Sequence, residues 1–176
     1  GQLHTVKLQD VPFGKISDKG VPIDNISNYD SQKEYAITVE SQTSLNLYRI
    51  LFVTAQAMMK IVDGGEFDVA KRTVAATKLQ DNDEVISVEI IREQKQVILQ
   101  SAEGYFLRFG LEEVPEKKKS AVGVRGMKLS DKDHVEAVYY TLAAMPDPDI
   151  VYKDKHVELQ RIKPQHRDSK GTKLRL

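Results

Sequence analysis

The stretch VILQSAEGYFLRF, residues 97–109, decides the predicted fold because its pattern of strand, turn and strand recurs elsewhere in the chain. Residues 50–62, which begin 47 residues earlier, also read as a short apolar strand, a tight turn and a second apolar strand. Gly104 suits such a turn because glycine adopts a positive φ without steric cost. Both stretches therefore predict β-hairpins. We expect the earlier turn to differ, since it has Ala57 in place of the glycine.

The repeat continues on both sides of these hairpins. The N-terminal segment matches the later unit at an offset of 103 residues, so that Val11-Pro12 falls on Val114-Pro115. A truncated copy begins at Ile150. We therefore predict a single domain over residues 1–176, made of a partial unit 1–46, two complete units 47–95 and 96–148, and a partial unit 149–176 with a basic tail.

A repeat of about 50 residues with roughly four strands is typical of propeller-type blades. Residues 85–90 are rich in β-branched side chains, and no stretch shows a sustained helical period. Because one such unit cannot bury its own faces, neighbouring units must cover them. The predicted fold is all-β, a propeller-like array of about three to four blades. The two partial units either complete one shared blade or lie as separate ends.

Composition bounds the function. The chain has 26 Lys and Arg against 26 Asp and Glu, but residues 150–176 hold eight bases against three acids, typical of either a polyanion-binding arm or a solvated tail. Cysteine is absent, which excludes disulfides and thiolate zinc sites and is compatible with a reducing cytosol. No apolar run approaches the ~20 residues of a membrane span, and nothing indicates a secretory leader. We expect a cytoplasmic protein with no membrane partner.

Several motifs recur in order and carry a family likeness. They are SAEGYFLRF at 101–109, EVP at 113–115, GVRGMKL at 123–129, LFVT at 51–54, TVAATKL at 73–79 and KGVPI at 19–23. Together they resemble the repeats in the C-terminal domain of bacterial type IIA topoisomerase A subunits, namely those of DNA gyrase and topoisomerase IV. The likeness runs from His4 to about Arg175.

The resemblance implies a β-pinwheel, in which propeller-like blades exchange strands in a ring or spiral. It implies that duplex DNA binds to a basic outer rim and wraps around it, so that the intact enzyme can change DNA topology. We expect this binding to be non-sequence-specific, since nothing in the sequence resembles a recognition helix or a set of base-reading side chains. The resemblance further implies a non-catalytic chain without a cofactor. The parent would be an ATP-dependent, Mg²⁺-using type II topoisomerase, and the partners would be duplex DNA, the rest of the A subunit, and the B subunit.

The chain departs from the family pattern in two ways. It lacks the glutamine-, arginine- and glycine-rich box of gyrase, which favours the topoisomerase IV type, and a box upstream of Gly1 is the alternative that leaves gyrase open. It also holds fewer blades than full family domains, so we expect it to be a piece of a larger array.

Binding duplex DNA through its phosphates requires cations at repeating positions. The candidate DNA-binding residues are Lys15, Lys19, Lys71, Arg72, Lys78, Lys117, Lys118, Lys119, Arg125 (on a glycine-flanked loop) and Lys128, and, in the basic tail, Arg161, Lys163, Arg167 and Lys170. Lys173 and Arg175 of the tail are further candidates, and Lys60 and Arg108 are weaker ones. A solubilising loop is the alternative for each cluster, but recurrence at matched positions favours binding.

Other interpretations have less support. The segments 81–84 and 131–134 are acidic but lack the glycine and distal glutamate of an EF-hand, so they predict turns, and the four histidines show no metal-type spacing. The zero net charge leaves open a β-propeller that binds proteins and not DNA. An enzyme is the least supported class, because no acid–base or nucleophile constellation repeats or converges.

Overall fold

In the computed structural model, which describes residues 1–174, twelve strands form four antiparallel sheets. The strands are β1 (Gln2–His4), β2 (Arg49–Thr54), β3 (Met58–Asp63), β4 (Thr73–Ala75), β5 (Val85–Ile91), β6 (Gln94–Ser101), β7 (Tyr105–Gly110), β8 (Val124–Arg125), β9 (Val135–Leu142), β10 (Asp149–Tyr152), β11 (Lys155–Glu158) and β12 (Thr172–Lys173). One α-helix is described, α1 (Gln42–Leu47). One-turn 3-10 helices occupy Leu8–Asp10, Ile23–Asn25, Gly64–Phe67, Leu111–Glu113 and Leu159–Arg161.

The two complete blades exchange strands with the chain that follows them. One blade has the strand order β5-β2-β3-β8 and the other β9-β6-β7-β12, so the fourth strand of each comes from the next unit. The pairing of β1 with β4 is a third instance of the same exchange. The backbone N–H groups of Ala76, Gly126 and Leu174 donate to matched carbonyls at the three sites, over 2.9, 2.7 and 3.2 Å. This exchange covers the free edge of each hairpin and confirms the predicted all-β pinwheel.

The core follows from the two-residue period of the strands. Leu51 and Val53 of β2 face a central cluster that also contains Val97 and Leu99 of β6. Ile50 and Phe52, which alternate with them along β2, face the opposite side of the sheet. The central cluster therefore lies between the two complete blades. Full burial of each such side chain contributes about 1.5–3 kcal/mol relative to exposure.

The outer face of the second blade is covered by a β-hairpin. Strands β10 and β11 pair through Val151 and His156, and Tyr152 packs edge-on against Phe106 with ring centroids 5.5 Å apart. Val157 completes this third cluster.

The outer face of the first blade is covered by irregular chain. Leu3 of β1 and Leu45 of α1 pack against Ile50 and Phe52, and a cavity of about 580 Å³ remains between them. At the offset of 103 residues β9 falls on residues 32–39, which form no strand. In the complete blades the corresponding strand pairs with the first strand of its own hairpin.

The expectation that the turn at Ala57 differs is wrong. Ala57 has φ 61° and Gly104 has φ 84°, and each N–H donates over 2.9 Å to the carbonyl three residues earlier. The side-chain oxygens of Thr54 and Ser101 also accept from the next N–H in both turns. These shared hydrogen bonds hold alanine in the left-handed region, at a cost of roughly 1–2 kcal/mol.

The sequence did not predict α1. Its N-cap is Ser41, whose side-chain oxygen accepts from the N–H of Ser44.

Among residues 1–174, no helix is both long enough and apolar enough to cross a membrane. The boundaries of the four repeat units stay a prediction.

Candidate nucleic-acid interface

In units two to four, a loop connects the one-turn helix of the preceding hairpin to the exchanged strand. In the first unit, the matching loop ends at the position that corresponds to that strand. We name these segments loop 1 (residues 11–20), loop 2 (68–72), loop 3 (114–123) and loop 4 (162–171). The loops hold ten of the fourteen predicted DNA-binding cations. These ten are Lys15, Lys19, Lys71, Arg72, Lys117, Lys118, Lys119, Lys163, Arg167 and Lys170.

The other four predicted cations lie outside the loops. They are Lys78, Arg125, Lys128 and Arg161, the last of which belongs to a one-turn helix. Arg125 was expected on a glycine-flanked loop, but it lies in the exchanged strand β8, where it pairs with Met58. The expectation failed because a strand of two residues carries too little pattern to be recognised in the sequence.

Loops 3 and 4 are attached to the preceding blade in the same way. The N–H of Ile61 in β3 donates to the carbonyl of Pro115 over 3.1 Å, and the carbonyl of Ile61 accepts from the N–H of Lys117 over 2.8 Å. In the next blade, the carbonyl of Arg108 accepts from the N–H of Gln165 over 2.8 Å. Equivalent loops therefore occupy equivalent places on successive blades.

Half of the predicted cations have no acidic, carbonyl or aromatic partner for their side chains within residues 1–174. Lys117 is half-buried and the other six are exposed. These seven are Lys15, Lys19, Lys71, Lys78, Lys117, Lys128 and Lys163. Lysines of this kind can reach a phosphate without first breaking a contact within the protein.

Six of the remaining cations contact acidic residues. Lys119 and Arg167 donate to the carboxylates of Glu66 and Glu113 through their backbone N–H groups, and to the carbonyls of the same acids through their side chains. The other four are ion pairs, namely Arg72 with Asp10 (3.4 Å), Lys118 with Glu66 (3.3 Å), Arg125 with Asp168, and Arg161 with Glu158 (2.8 Å). Exposed ion pairs contribute little to stability, typically about 0–1 kcal/mol. Their carboxylates nevertheless place negative charge among the basic loops.

Two of these carboxyl groups are held in the ionised form. The backbone N–H of Lys119 lowers the pKa of Glu66, with a further contribution from the Lys118 ammonium. The side chain of Arg125 lowers the pKa of Asp168. Both residues therefore carry a full negative charge at neutral pH.

The tail contributes an aromatic contact. The ammonium groups of Lys170 and Lys173 lie 4.6 and 5.1 Å from the centroid of the Tyr105 ring. Such cation–π contacts order a side chain without neutralising its charge. The tail candidate Arg175 lies outside the described residues.

The two weaker candidates are internal. Lys60 is 1% exposed, and its ammonium donates to the carbonyls of Lys118, Lys119 and Ala121 over 3.0, 2.8 and 2.6 Å. Burial lowers the pKa of Lys60 to about 8. Arg108 donates to Asp147 over 2.6 Å. The sequence signal for these internal positions was that Lys60 and Arg108 each interrupt an apolar strand.

The acidic segments are turns. The carboxylate of Asp83 accepts from the N–H of Gln56 over 2.9 Å, and that of Asp133 accepts from the N–H of Glu103 over 3.0 Å. Each carboxylate ties its turn to the hairpin turn of the same blade. Within residues 1–174, no three His, Asp or Glu side chains are grouped as a metal site requires.

Comparison with known proteins assigns the family. The model described as the DNA gyrase C-terminal domain, beta-propeller, matches residues 48–92 and 95–141. The chain is 30% identical over 139 residues to the A subunit of DNA gyrase from Lawsonia intracellularis, covering 78% of this chain and 17% of that protein. It is 29% identical over 136 residues to the same protein from Klebsiella oxytoca, covering 77% of this chain and 16% of that protein.

Solved structures show the same fold. The C-terminal domain of DNA topoisomerase IV superposes with a TM-score of 0.77 at 23% identity, covering 94% of this chain and 53% of that one. The DNA gyrase A C-terminal domain gives a TM-score of 0.65 at 23% identity, covering 89% of this chain and 53% of that one. The chain thus spans about half the length of these structures and about a sixth of the curated relatives. By its sequence and its strand-exchanged blades, the chain belongs to the family of DNA gyrase C-terminal domains.

Proposed function

We propose that this chain binds duplex DNA along its loops, without sequence preference, and bends it as the C-terminal module of a type IIA topoisomerase A subunit. The observation that carries the proposal is the recurrence of an unpaired lysine in equivalent loops. Lys71, Lys117 and Lys163 occupy loops 2, 3 and 4, and none has an acidic partner among the described residues. Family membership supports the same function.

Phosphate neutralisation supplies the affinity in this proposal. Each phosphate neutralised by a lysine releases counterions and adds about −0.9 to the slope of log K against log salt concentration. Bending tens of base pairs costs on the order of 1–6 kcal/mol, so several contacts in register are needed to offset it. Loops 3 and 4 supply such a register because they are attached to successive blades in the same way.

The proposed binding reads no base sequence. A recognition helix must reach into the major groove, and α1 has six residues. The unpaired side chains in the loops are lysines, which suit phosphates as point charges. We therefore expect the same affinity for unrelated duplexes.

The role in a whole enzyme extends the proposal. We infer that the partners are a B subunit of the parent, together with the rest of its A subunit, and that ATP and Mg²⁺ serve the catalytic regions of the parent and not this chain. In that arrangement the chain presents a bent DNA segment to the cleavage core, in the cytoplasm. A topoisomerase IV type of parent stays a prediction.

The test measures binding of the chain to two unrelated duplexes of ~35 base pairs by fluorescence anisotropy over a range of salt concentrations. The variant K71M/K117M/K163M should lower the magnitude of the salt slope by about 2.7, at about 0.9 for each lysine, with an unchanged melting temperature. The matched control is K95M/K132M/K155M, which removes three exposed lysines outside the loops.

Three results would contradict the proposal. One is an absence of binding at low salt, which would favour a propeller that binds proteins. Another is an equal loss of slope in the control variant. The third is a strong preference for one of the two duplexes.

A further inference from the structure

An acid in each of three one-turn helices contacts a cation in the loop of the following unit. The pairs are Asp10 with Arg72, Glu66 with Lys119, and Glu113 with Arg167. The acids match one another at the repeat offset, and so do the cations. Each pair therefore joins two successive units at the same place.

The second and third pairs share their atomic detail. The carboxylate of Glu66 accepts from the backbone N–H of Lys119 over 3.0 Å, and that of Glu113 accepts from the N–H of Arg167 over 2.9 Å. In return, Lys119 Nζ donates to the carbonyl of Glu66 over 2.6 Å, and Arg167 Nε donates to that of Glu113 over 2.9 Å. Lysine and arginine thus make the same reciprocal pair of hydrogen bonds despite their different shapes.

The first pair is looser. Arg72 reaches Asp10 through side chains alone, over 3.4 Å, and the arginine side chain is 49% exposed. The position that matches the cation in loop 1 holds Ile16, and the position that matches the acid in the last 3-10 helix holds Arg161. Arg161 instead pairs with Glu158 of its own unit.

Further contacts hold the cation positions in place. Arg167 also donates to the carbonyl of Arg125 in β8 over 2.6 Å, and Lys119 lies 5.8 Å from the centroid of the Phe67 ring. These bonds to carbonyls fix the position of either side chain and leave only its remaining donors for a phosphate. An unpaired lysine such as Lys163 gives up only its contacts with water and its rotamer freedom.

We propose that the three pairs are a repeated joint between blades, in which Arg72, Lys119 and Arg167 position the loops and do not bind phosphate. The unpaired lysines beside them then make the phosphate contacts. The assignment of phosphate contacts rests on the proposed function, whereas the joint itself does not.

The test compares R167M with K163M, which changes an exposed lysine in the same loop. R167M should lower the melting temperature by about 3–8 °C, because the carbonyls of Glu113 and Arg125 lose their side-chain donor, and should leave the salt slope for DNA binding unchanged. K163M should leave the melting temperature unchanged and lower the magnitude of the slope by about 0.9. R167K should recover part of the melting temperature, since the lysine at position 119 makes the matching bond to the carbonyl of Glu66 but not the second bond that Arg167 makes to the carbonyl of Arg125.

A double-mutant cycle with E113Q measures the coupling between positions 113 and 167. This coupling would be absent if each residue stabilised only its own segment. E113Q weakens the bond from the Arg167 N–H to the Glu113 carboxylate, and R167M removes the bond from Arg167 Nε to the Glu113 carbonyl. Because both bonds hold the same two segments together in the proposed joint, the loss of melting temperature in R167M/E113Q should be clearly smaller than the sum of the two single losses. Should R167M fail to fold, R167K and E113Q still report on the joint through their melting temperatures.

The proposal is overturned if R167M reduces the slope as K163M does while keeping its melting temperature. It is also overturned if the single losses in the cycle add fully. If the unmodified chain binds no DNA, the proposed function fails, but the melting temperatures and the cycle still decide whether the joint exists.

Discussion

The outer faces of the two complete blades are covered by different kinds of structure. The face of the second blade around Phe106 is closed by the hairpin β10–β11, and Phe106 is 0% exposed. The face of the first blade around Phe52 is covered by the β1–β4 pair, α1 and irregular chain, which leave the cavity of about 580 Å³. Both faces present similar apolar strands, so the difference lies in what covers them.

The two coverings differ in pairing, since β10 and β11 pair with each other whereas residues 32–39 form no strand. Tyr35, Ile37 and Val39 recur with the two-residue period of a strand, yet Tyr35 and Val39 are 61% and 81% exposed. A strand without a neighbour leaves its N–H and C=O groups to water and gains little. The hairpin β10–β11 supplies its own partner strand and therefore packs against the blade.

The largest expected effect compares the two phenylalanines. F106A should lower the free energy of unfolding by about 3–5 kcal/mol, because it leaves a hole in a closed cluster. F52A should cost less, since Phe52 already lines a cavity. Urea unfolding of both variants measures the difference. An equal or larger loss in F52A would mean that the two faces are equally well packed.

The next effect concerns the buried cations, because Lys60 lies on the face of Phe52 and Arg108 on that of Phe106. R108M should cost about 3 kcal/mol, since it leaves the carboxylate of Asp147, 11% exposed, without its partner. K60M should cost less, about 1–3 kcal/mol, because it leaves only carbonyls without a donor. Urea unfolding at neutral pH tests this order, and a larger loss in K60M would reverse it.

The pKa of Lys60 adds a pH dependence. Because burial lowers this pKa from 10.5 to about 8, the unfolded chain binds more protons than the folded chain between those values. The free energy of unfolding should therefore rise with pH from about 8 to 10.5 in the unmodified chain, relative to K60M, and the difference should be flat below pH 8. A difference that falls with pH would contradict the burial of a costly charge.

The smallest effect concerns the hairpin turns. A Cβ at Gly104 would lie 2.4 Å from the Tyr152 hydroxyl, and φ there is 84°, so G104A should cost about 1–2 kcal/mol. Y152F alone should be nearly neutral because that buried hydroxyl has no hydrogen-bond partner among the described residues. Y152F should also recover part of the G104A loss. Thermal unfolding of G104A, Y152F and G104A/Y152F checks this. If Y152F recovers none of the loss, the cost of G104A comes from the positive φ alone and not from the contact with the Tyr152 hydroxyl.

Much of the fold could be predicted because its signals are local. The hairpins at 50–62 and 97–109 carry apolar strands and a turn within about a dozen residues, and the repeat multiplies the signal. The exchanged strands could not be located in the same way. Val124–Arg125 and Thr172–Lys173 are two residues long and pair with a strand of the preceding unit.

The candidate interface was only half predictable. The positions of the basic residues in the repeat are visible in the sequence, but the partner of each is not. Lys119 and Lys117 look alike as neighbours on one loop, yet Glu66 binds the first and leaves the second unpaired. The recurrence of Asp10, Glu66 and Glu113 at the repeat offsets was the signal that would have revealed the acids.

The sequence by itself determined the repeat, the hairpins and the recurrence of cations, because these depend on side-chain period and turn residues within one unit. The tertiary structure alone decided which edge each short strand joins, that Lys60 is internal and that Lys71, Lys117 and Lys163 remain unpaired among the described residues. Those outcomes depend on groups some 50 residues apart in the chain, which only the packing of one blade against the next brings within hydrogen-bond distance.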